Sequence, residues 1–422
     1  LMSRCIFSYS KFIIFFKKYK FIMLVEVLLP LKFDQSFTYE IDQDIEIGQY
    51  VSVSFKNKEV IGVIWSVNSK PLKKSIRIKK IQKKFTLPPL SENKINFLKL
   101  MANYNLVNIG LILNLFLYKK GFASLEKGLK KIKNFEQYIP KFNEKIQLNT
   151  EQKDILELVK KKINFTKFST SLLQGIPGSG KTHVYFELIK EALKQNYQVL
   201  VLLPEKGLSE QIAERFKDFF NYEPAIWHSG IKDKTKKIIW KGVFQKKINL
   251  VLGARSAIFL PFQNLKLIII DEEHDSSYKQ EDGVPFNARD MAILQASIDK
   301  FPIFLISATP SVETYFNCSN NKYHLFSLSS RYNQSQLPEV KTIKLTKENI
   351  SENNFISNEV VDEVKNYLKL NNQVLFFLNR RGHSTFLFCY KCMKRLECPK
   401  CSVALVYHKK NNFALCHYCN YS

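Results

Sequence analysis

Residues 175–182 read Gly-Ile-Pro-Gly-Ser-Gly-Lys-Thr, and this stretch decides the fold of the chain. It matches the pattern GxxxxGK[ST] in full and stands between a short apolar run, 172–173, and a helical pattern over 184–194. A chance glycine-rich turn is the alternative, but the order of strand, loop and helix argues against it. The stretch therefore predicts a phosphate-binding loop in an α/β domain.

Each residue type in this loop has an expected task. Gly175, Gly178 and Gly180 let backbone N–H groups surround phosphate oxygens, and the start of the next helix favours negative charge. The Lys181 ammonium is expected to reach the β- and γ-phosphates, and the Thr182 hydroxyl to ligate Mg²⁺.

An acidic motif downstream supplies the second half of such a site. The apolar run 267–270 leads directly into Asp271-Glu272-Glu273-His274. At the end of a buried strand, Asp271 is placed to hold the Mg²⁺ shell and Glu272 to orient and polarise the attacking water. We therefore expect Asp271, Glu272 and Lys181 to be the catalytic residues of a nucleoside triphosphatase.

The sequence around these motifs alternates strands and helices. Apolar runs lie at 172–173, 199–203, 250–252, 267–270 and 303–306, with helical stretches such as 184–194 and 208–220 between them. This alternation predicts a parallel sheet covered by helices on both faces, over residues 148–345. A second α/β unit is expected over 346–388, with a helix at 360–370 and a strand at 374–378.

The amino-terminal part has a different pattern. Strands are expected at 25–29, 36–41, 50–55 and 60–67, followed by a helical segment over 92–117, which makes 23–118 a small β-rich domain. Residues 119–147 are Lys-rich and are interpreted as a linker. Residues 1–22 precede a second candidate start, Met23, and are interpreted as an upstream extension without a structural role.

The charge of the chain favours a polyanionic partner. It carries 64 Lys+Arg against 38 Asp+Glu, a formal net charge of +26, which suits nucleic acid, although a general bias toward Lys would give the same total. The apolar run 12–16 is interrupted by Lys17 and Lys18, so neither a membrane span nor a secretory signal is predicted. We expect a cytoplasmic, nucleoid-associated protein without a membrane partner.

Six cysteines fall in three CxxC pairs within 389–422. They are Cys389 and Cys392, Cys398 and Cys401, and Cys416 and Cys419. Two such pairs make one tetrahedral Zn²⁺ site, so the pattern indicates a zinc-binding module rather than disulfides. His408 and His417 are alternative ligands, although ordinary surface histidines are the commoner reading.

Three further stretches narrow the class. Ser307-Ala-Thr309-Pro follows the apolar run 303–306 and resembles the motif with which superfamily 2 helicases link hydrolysis to strand movement. Gln152 stands where that superfamily places an adenine-reading Gln, which implies ATP as the nucleotide. Arg255 follows another apolar run, a natural place for phosphate contacts.

A closer resemblance is to the PriA family of primosomal helicases. It rests on residues 203–208, 228–230, 253–262, 271–283 and 377–382, the last of these preceding the cysteine pairs. The resemblance implies RecA-like lobes, the second interrupted by the zinc module, and an amino-terminal domain that binds a 3′ DNA end. It also implies an ATP-dependent 3′→5′ DNA helicase of replication restart. The implied partners are forked or single-stranded DNA, other primosome proteins and single-stranded DNA-binding protein.

The segment after the acidic motif is expected to couple DNA to hydrolysis. By the resemblance His274, Lys279 and Phe286 take part, and so do Ser307, Thr309, Arg255, Arg380 and Arg381. The aromatic and charged groups Tyr278, Lys279, Phe286, Arg289 and Asp290 could stack a base or grip a phosphate. The alternative is an ordinary loop anchored by Phe286.

The chain also departs from the family pattern. By resemblance Cys398, Cys401, Cys416 and Cys419 make one complete zinc site, whereas Cys389 and Cys392 lack partners before Ser422. The arginine motif of the second lobe and a winged-helix insertion are absent, and Thr38 stands where an Asp is usual. We therefore expect a fragment or truncated copy with impaired hydrolysis. Rival readings are a zinc-bearing DNA-binding remnant and an RNA helicase of the same superfamily.

Overall fold

A computed structural model describes residues 23–67, 78–118, 148–204, 210–331, 339–344, 356–377, 389, 391–392, 395–400, 404–408, 413–416 and 421–422. The chain divides into two compact units, Leu1–Gln336 and Leu337–Ser422. The extension 1–22 and the linker 119–147 of the sequence analysis lie outside the described residues.

A closed five-stranded barrel begins the first unit. Its strands are β1 (Met23–Leu28), β2 (Phe37–Ile41), β3 (Tyr50–Phe55), β4 (Lys58–Val67) and β5 (Lys79–Lys84), in the order β1-β2-β5-β3-β4. The four predicted strands are confirmed, and β5 is an addition. Its sequence KKIQKK has only Ile81 as an apolar residue, so pairing with β2 and β3, not hydrophobic patterning, defines this strand.

Two helices follow the barrel where one helical segment was predicted. Helix α1 (Glu92–Asn105) ends at Leu106, whose φ of 53° is left-handed, and α2 (Ile109–Phe116) starts after a short turn. Gly110 lets α2 approach the loop after β1, because a Cβ there would overlap the carbonyl oxygen of Leu31. The Gly110 N–H donates to the Phe33 carbonyl at 3.1 Å, which fixes α2 against the barrel.

The rest of the first unit consists of a seven-stranded parallel sheet, the helices that cover it and one short hairpin. Its strands are β6 (Ser169–Gly175), β7 (Gln198–Leu202), β8 (Ala225–Trp227), β9 (Leu250–Gly253), β10 (Leu265–Asp271), β13 (Pro302–Ser307) and β14 (His324–Leu328), in the order β14-β6-β13-β10-β7-β9-β8. The helices are α3 (Thr150–Lys162), α4 (Lys181–Lys194), α5 (Glu210–Phe220), α6 (Asp233–Phe244), α7 (Ala288–Asp299) and α8 (Val312–Ser319). Two short strands, β11 (Lys279–Gln280) and β12 (Phe286–Asn287), form an antiparallel hairpin.

Alternate residues along the strands of the sheet pack into two separate hydrophobic cores, one on each face. Ile268 packs with α6 and α7, whereas its neighbour Ile269 packs with α4 and α5. Both faces are therefore buried, as expected for a parallel sheet. The short edge strands β8 and β14 were missed by the sequence pattern, because their burial depends on neighbours distant in sequence.

The second unit contains α9 (Asn358–Lys369) and the antiparallel pair β15 (Val406–His408) and β16 (Phe413–Leu415). The predicted strand 374–378 is wrong for residues 374–377, which form no regular structure; Leu378 lies outside the described residues. Leu375 is 90% exposed and Phe377 is 81% exposed, so no sheet in the described unit covers this apolar run. Across the described residues, none of the helices combines the length and the apolar character needed to cross a membrane.

Candidate nucleotide site

The predicted motifs gather at one edge of the seven-stranded sheet. In a parallel sheet the carboxyl ends of all strands lie at the same edge. The phosphate loop follows β6, the acidic motif overlaps the end of β10, and Ser307 ends β13, which lies between β6 and β10. Arg255 follows β9 and lies further along the same edge.

The phosphate loop has an open, left-handed backbone. Gly178 and Gly180 have φ angles of 81° and 79°, a region that favours glycine. A Cβ on Gly178 would meet no atom within 4 Å, so this side of the loop is accessible. The Lys181 ammonium donates to the Gly175 carbonyl at 2.7 Å, which folds its side chain over the loop. The donor set and the open face fit a bound phosphate.

The buried side chain of Gln152 packs against the phosphate loop. Its side chain is fully buried, and its Oε1 accepts from the Asn149 N–H at 3.0 Å in a capping box that starts α3. Its Nε2 donates to the Ser179 carbonyl at 2.9 Å, and a Cβ on Gly180 would overlap that nitrogen. The structure thus places Gln152 against the phosphate loop, while adenine reading stays a prediction.

Asp271 is held by two hydrogen bonds at the end of β10. Its Oδ2 accepts from the Tyr185 hydroxyl at 3.1 Å, and its Oδ1 accepts from the Glu272 N–H at 3.0 Å. Burial, assisted by the charge of Glu272, raises the pKa of Asp271 to about 6. Burial also lowers the pKa of Lys181, against the opposing pull of Glu272 and Asp271. A cation bound at this edge would offset the free-energy cost of burying the ionised Asp271 carboxylate.

The two glutamates of the motif have opposite environments. Glu272 has a left-handed φ of 47°, and its side chain is 48% exposed. The Glu273 side chain is fully buried, and its carboxylate accepts from Arg289 Nη1 at 2.9 Å, the Ser311 N–H at 2.7 Å and Thr314 Oγ1 at 2.9 Å. Glu273 therefore fastens the acidic motif to the starts of α7 and α8, a role that the sequence analysis did not assign.

His274 joins the acidic motif to the Ser-Ala-Thr motif. Its Nδ1 lies 2.8 Å from the hydroxyl of the fully buried Ser307, and its Nε2 lies 3.4 Å from the Thr309 hydroxyl. The same Nδ1 is 3.7 Å from a carboxylate oxygen of Glu272. One imidazole ring therefore contacts both motifs.

Arg255 and Tyr278 shape the turn that follows. Arg255 Nη1 donates to the carbonyls of Ser277 and Lys279, each at 3.2 Å. The Tyr278 hydroxyl is buried and donates to the Asp271 carbonyl at 2.6 Å. Among these residues, Lys279 alone presents a largely exposed charged side chain, 65% accessible and 2.9 Å from Glu281.

Phe286 anchors this segment and does not offer a stacking face. Only 3% of it is exposed, and its ring lies 5.1 Å from that of Phe259, which in turn packs on Phe116 of α2 at 5.0 Å. Of the two expectations for this segment, a base-stacking loop and an ordinary loop anchored by Phe286, the covered ring favours the anchored loop. Arg289 is similarly engaged by Glu273 and Asp290.

The cysteines come together in pairs. Cys398 and Cys416 are buried in one small cluster with Leu405, which suits paired thiolate ligands. The backbone and thiol of Cys392, followed by the Lys391 backbone, lower the pKa of Cys389. Cys401, Cys419 and His417, together with Arg380 and Arg381, lie outside the described residues, and within those described no three metal-ligating side chains converge.

Comparison with known families first defines the class. Residues 145–312 match the family model described as "Type III restriction enzyme, res subunit", which agrees with the phosphate loop, the acidic motif and the parallel sheet. The fold and this match thus define a helicase lobe of the superfamily 2 type. Among solved structures, the Pyrococcus furiosus Hef helicase domain is similar with a TM-score of 0.32 and 20% identity, covering 42% of this chain and 39% of that one.

Two further matches are specific. Residues 26–117 match the "3'DNA-binding domain (3'BD)" of PriA, and 398–422 match the "PriA DNA helicase Cys-rich region (CRR) domain". The replication restart protein PriA of Rickettsia typhi is 39% identical over 400 residues, which are 94% of this chain and 60% of that protein. That of Bacillus subtilis is 36% identical over 305 residues, 70% of this chain and 38% of its own. The chain belongs to the PriA family, and it spans 60% of the length of its rickettsial relatives.

Proposed function

We propose that this chain acts in replication restart as an ATP-dependent 3′→5′ DNA helicase that recognises forked or single-stranded DNA. The observation that carries the proposal is the contact of His274 with Ser307 and Thr309 at the edge that also holds the phosphate loop. A nucleotide site alone would need no such link. A helicase motor needs such a link, because ATP hydrolysis must change how tightly the protein binds the DNA strand.

The phosphate loop would hold ATP, with Mg²⁺ supplying charge neutralisation between the β- and γ-phosphates. The left-handed Gly178 and Gly180 keep the loop backbone open, and Gly175 leaves room for the Ser179 hydroxyl. Lys181 would exchange its bond to the Gly175 carbonyl for phosphate oxygens. Thr182 and Asp271 would face the ion, and Gln152 would support the loop and read adenine.

Glu272 is the proposed base, because its half-exposed carboxylate can accept a proton from the attacking water. Its neighbour His274 lies 3.7 Å from the Glu272 carboxylate and contacts the hydroxyls of Ser307 and Thr309. Arg255 and Lys279 would sense DNA through the turn at Ser276–Tyr278, since Arg255 already fixes that turn. Phe286 keeps the turn seated on its aromatic core.

The domains on either side extend this proposal. We place a 3′-end-binding domain at 23–118, the linker at 119–147, the ATP-binding lobe at 148–345, the start of a second lobe at 346–388 and the zinc module at 389–422. Cys398, Cys401, Cys416 and Cys419 would bind one Zn²⁺, with Cys389 and Cys392 contributing to a second site. Other primosome proteins and single-stranded DNA-binding protein are the proposed partners, in the cytoplasm at the nucleoid.

Steady-state ATP hydrolysis tests the proposal directly. The chain is assayed alone, with forked DNA and with an RNA of equal length, beside Lys181→Ala and Glu272→Gln. We expect forked DNA to stimulate hydrolysis more than RNA does, and both variants to lose the stimulated rate by at least about 100-fold. Greater stimulation by RNA would favour an RNA helicase.

A second assay separates motor from remnant. Fork binding is measured by fluorescence anisotropy for the same three proteins. A chain that binds forks with unchanged affinity in the presence and absence of ATP, and hydrolyses none of it, would be a zinc-bearing DNA-binding protein instead.

A further inference from the structure

A tyrosine that none of the nucleotide motifs includes lies between two of their key residues. Tyr185 stands on α4, three residues after Thr182, so both side chains share one face of the helix. The residue is fully buried, yet its hydroxyl donates to Asp271 Oδ2 at 3.1 Å. Burial, assisted by the charge of Asp271, raises the pKa of Tyr185, and a hydrogen bond with Thr182 opposes this rise.

We infer that Tyr185 is a positioning residue that sets Asp271 and Thr182 for a shared divalent cation, an inference that rests on the proposed function. The Asp271 carboxylate has two oxygens, and the hydroxyl of Tyr185 and the Glu272 N–H each occupy one side of it. These two bonds fix the rotation of the carboxylate and leave its remaining lone pairs for a cation shell.

The surroundings of the ring keep the hydroxyl in place. The Tyr185 ring packs edge-on against Phe186 at 5.4 Å and tilted against Phe216 at 6.4 Å, inside the core formed with α5. The ring therefore cannot swing away without opening this core. An outer partner that fixes a metal ligand in this way typically contributes 10–100-fold to metal affinity.

A purely structural role is the competing account. The buried hydroxyl would then serve only to satisfy one oxygen of Asp271, as a capping group does. The two accounts differ in one measurable quantity, the Mg²⁺ concentration at which nucleotide binding is half-enhanced. Structural support would move the melting temperature and leave that concentration unchanged.

The test is Tyr185→Phe, which keeps the ring and removes the hydroxyl. Binding of a fluorescent ATP analogue to the whole chain is titrated with MgCl₂ and repeated in EDTA. We expect the half-enhancing Mg²⁺ concentration to rise about tenfold or more, with the affinity in EDTA unchanged within about twofold. The unchanged affinity in EDTA also establishes that the variant is folded.

Two further variants serve as controls for this test. Tyr222→Phe removes a half-buried hydroxyl just before β8 and should leave the Mg²⁺ dependence unchanged. In an Asp271→Asn background, Tyr185→Phe should add little, because the tyrosine acts through that carboxylate.

The inference is overturned if Tyr185→Phe keeps the wild-type Mg²⁺ dependence, or if its effect adds in full to that of Asp271→Asn. A wild-type chain that binds the analogue equally with Mg²⁺ and EDTA would contradict the cation site and this inference together. A chain that binds no nucleotide at all would overturn the proposed function itself, and is thereby distinguished from the other outcomes.

Discussion

Residues 148–331 and 356–377 share a pattern of apolar runs and amphipathic helices, yet they differ in what covers the apolar side chains. In the first region the strand side chains of β10 are buried on both faces of the sheet. In the second, α9 buries none of its residues, and Leu375 is 90% exposed. The same local pattern therefore gives a core in one place and an uncovered surface in the other.

The contrast extends to polar groups. At the sheet edge, Asp271, Glu273 and His274 each have partners from other strands or helices, so the site is held before any ligand binds. The polar side chains of α9 instead form exposed ion pairs, Lys365 with Asp362 and both Glu359 and Glu363 with Lys341. Sequence pattern specifies elements, whereas the order of strands specifies which side chains meet.

The largest expected effect is at the buried glutamate. Glu273→Ala takes a buried carboxylate away from Arg289 and leaves the Ser311 N–H and the Thr314 hydroxyl without their acceptor, so the free energy of unfolding should fall by about 3–5 kcal/mol. Chemical denaturation monitored by circular dichroism measures this. Its matched control is Glu272→Ala, which should change stability by less than about 0.5 kcal/mol, since that carboxylate is half-exposed. Equal losses in the two variants would contradict the contrast between them.

A pair of leucines compares the two regions directly. Leu267→Ala opens a cavity at a fully buried position of β10 and should cost about 2–5 kcal/mol. Leu368→Ala removes the same atoms from α9, where the side chain is 54% exposed, and should cost less than about 0.5 kcal/mol. Thermal unfolding of both variants gives the answer, and a large loss in Leu368→Ala would mean that α9 is covered in solution.

Asp271 should show a stability cost that depends on pH. Because its folded pKa of about 6 lies above the ordinary 3.8, the folded state binds more protons between these values. Stability of the nucleotide-free chain therefore falls as pH rises from about 4 to about 6. Asp271→Asn should remove this fall and be more stable by on the order of 1–3 kcal/mol at pH 7. Identical pH profiles for variant and wild type would be inconsistent with this buried charge.

The smallest expected change in stability is at Lys279. Its exposed ammonium pairs with the exposed Glu281, so Lys279→Ala should shift the free energy of unfolding by less than about 0.5 kcal/mol. If the turn senses DNA, the same variant should reduce stimulation of hydrolysis by forked DNA while leaving the basal rate unchanged. Glu281→Ala is the control, and equal stimulation in wild type and Lys279→Ala would remove Lys279 from the coupling path.

Much of the fold could be predicted from local pattern. The barrel strands β1–β4 and the five inner strands of the sheet, including β6 before the phosphate loop, have apolar patterns that can be recognised in the sequence alone. Strand β5, with one apolar residue among four lysines, does not. Its place is set by backbone pairing with β2 and β3, which no window of sequence contains.

The site was predictable where chemistry is local and was missed where it is not. Lys181 and Thr182 follow from eight consecutive residues. Tyr185 and Glu273 do not, because their partners lie 86 and 16 residues away in the chain and meet them only through the strand order. The choice between stacking and anchoring for Phe286 could not be made from sequence for the same reason, since its aromatic partners belong to other elements.

The central claim is that nucleotide and DNA communicate through the edge held by His274. By linkage, any such coupling must appear in equilibrium binding, without turnover. The most direct measurement is the affinity for forked DNA, with and without a non-hydrolysable ATP analogue and Mg²⁺, in wild type and Lys181→Ala. We predict a change of at least about fivefold in wild type and none in Lys181→Ala. Unchanged DNA affinity in a wild-type chain saturated with the analogue would contradict the account.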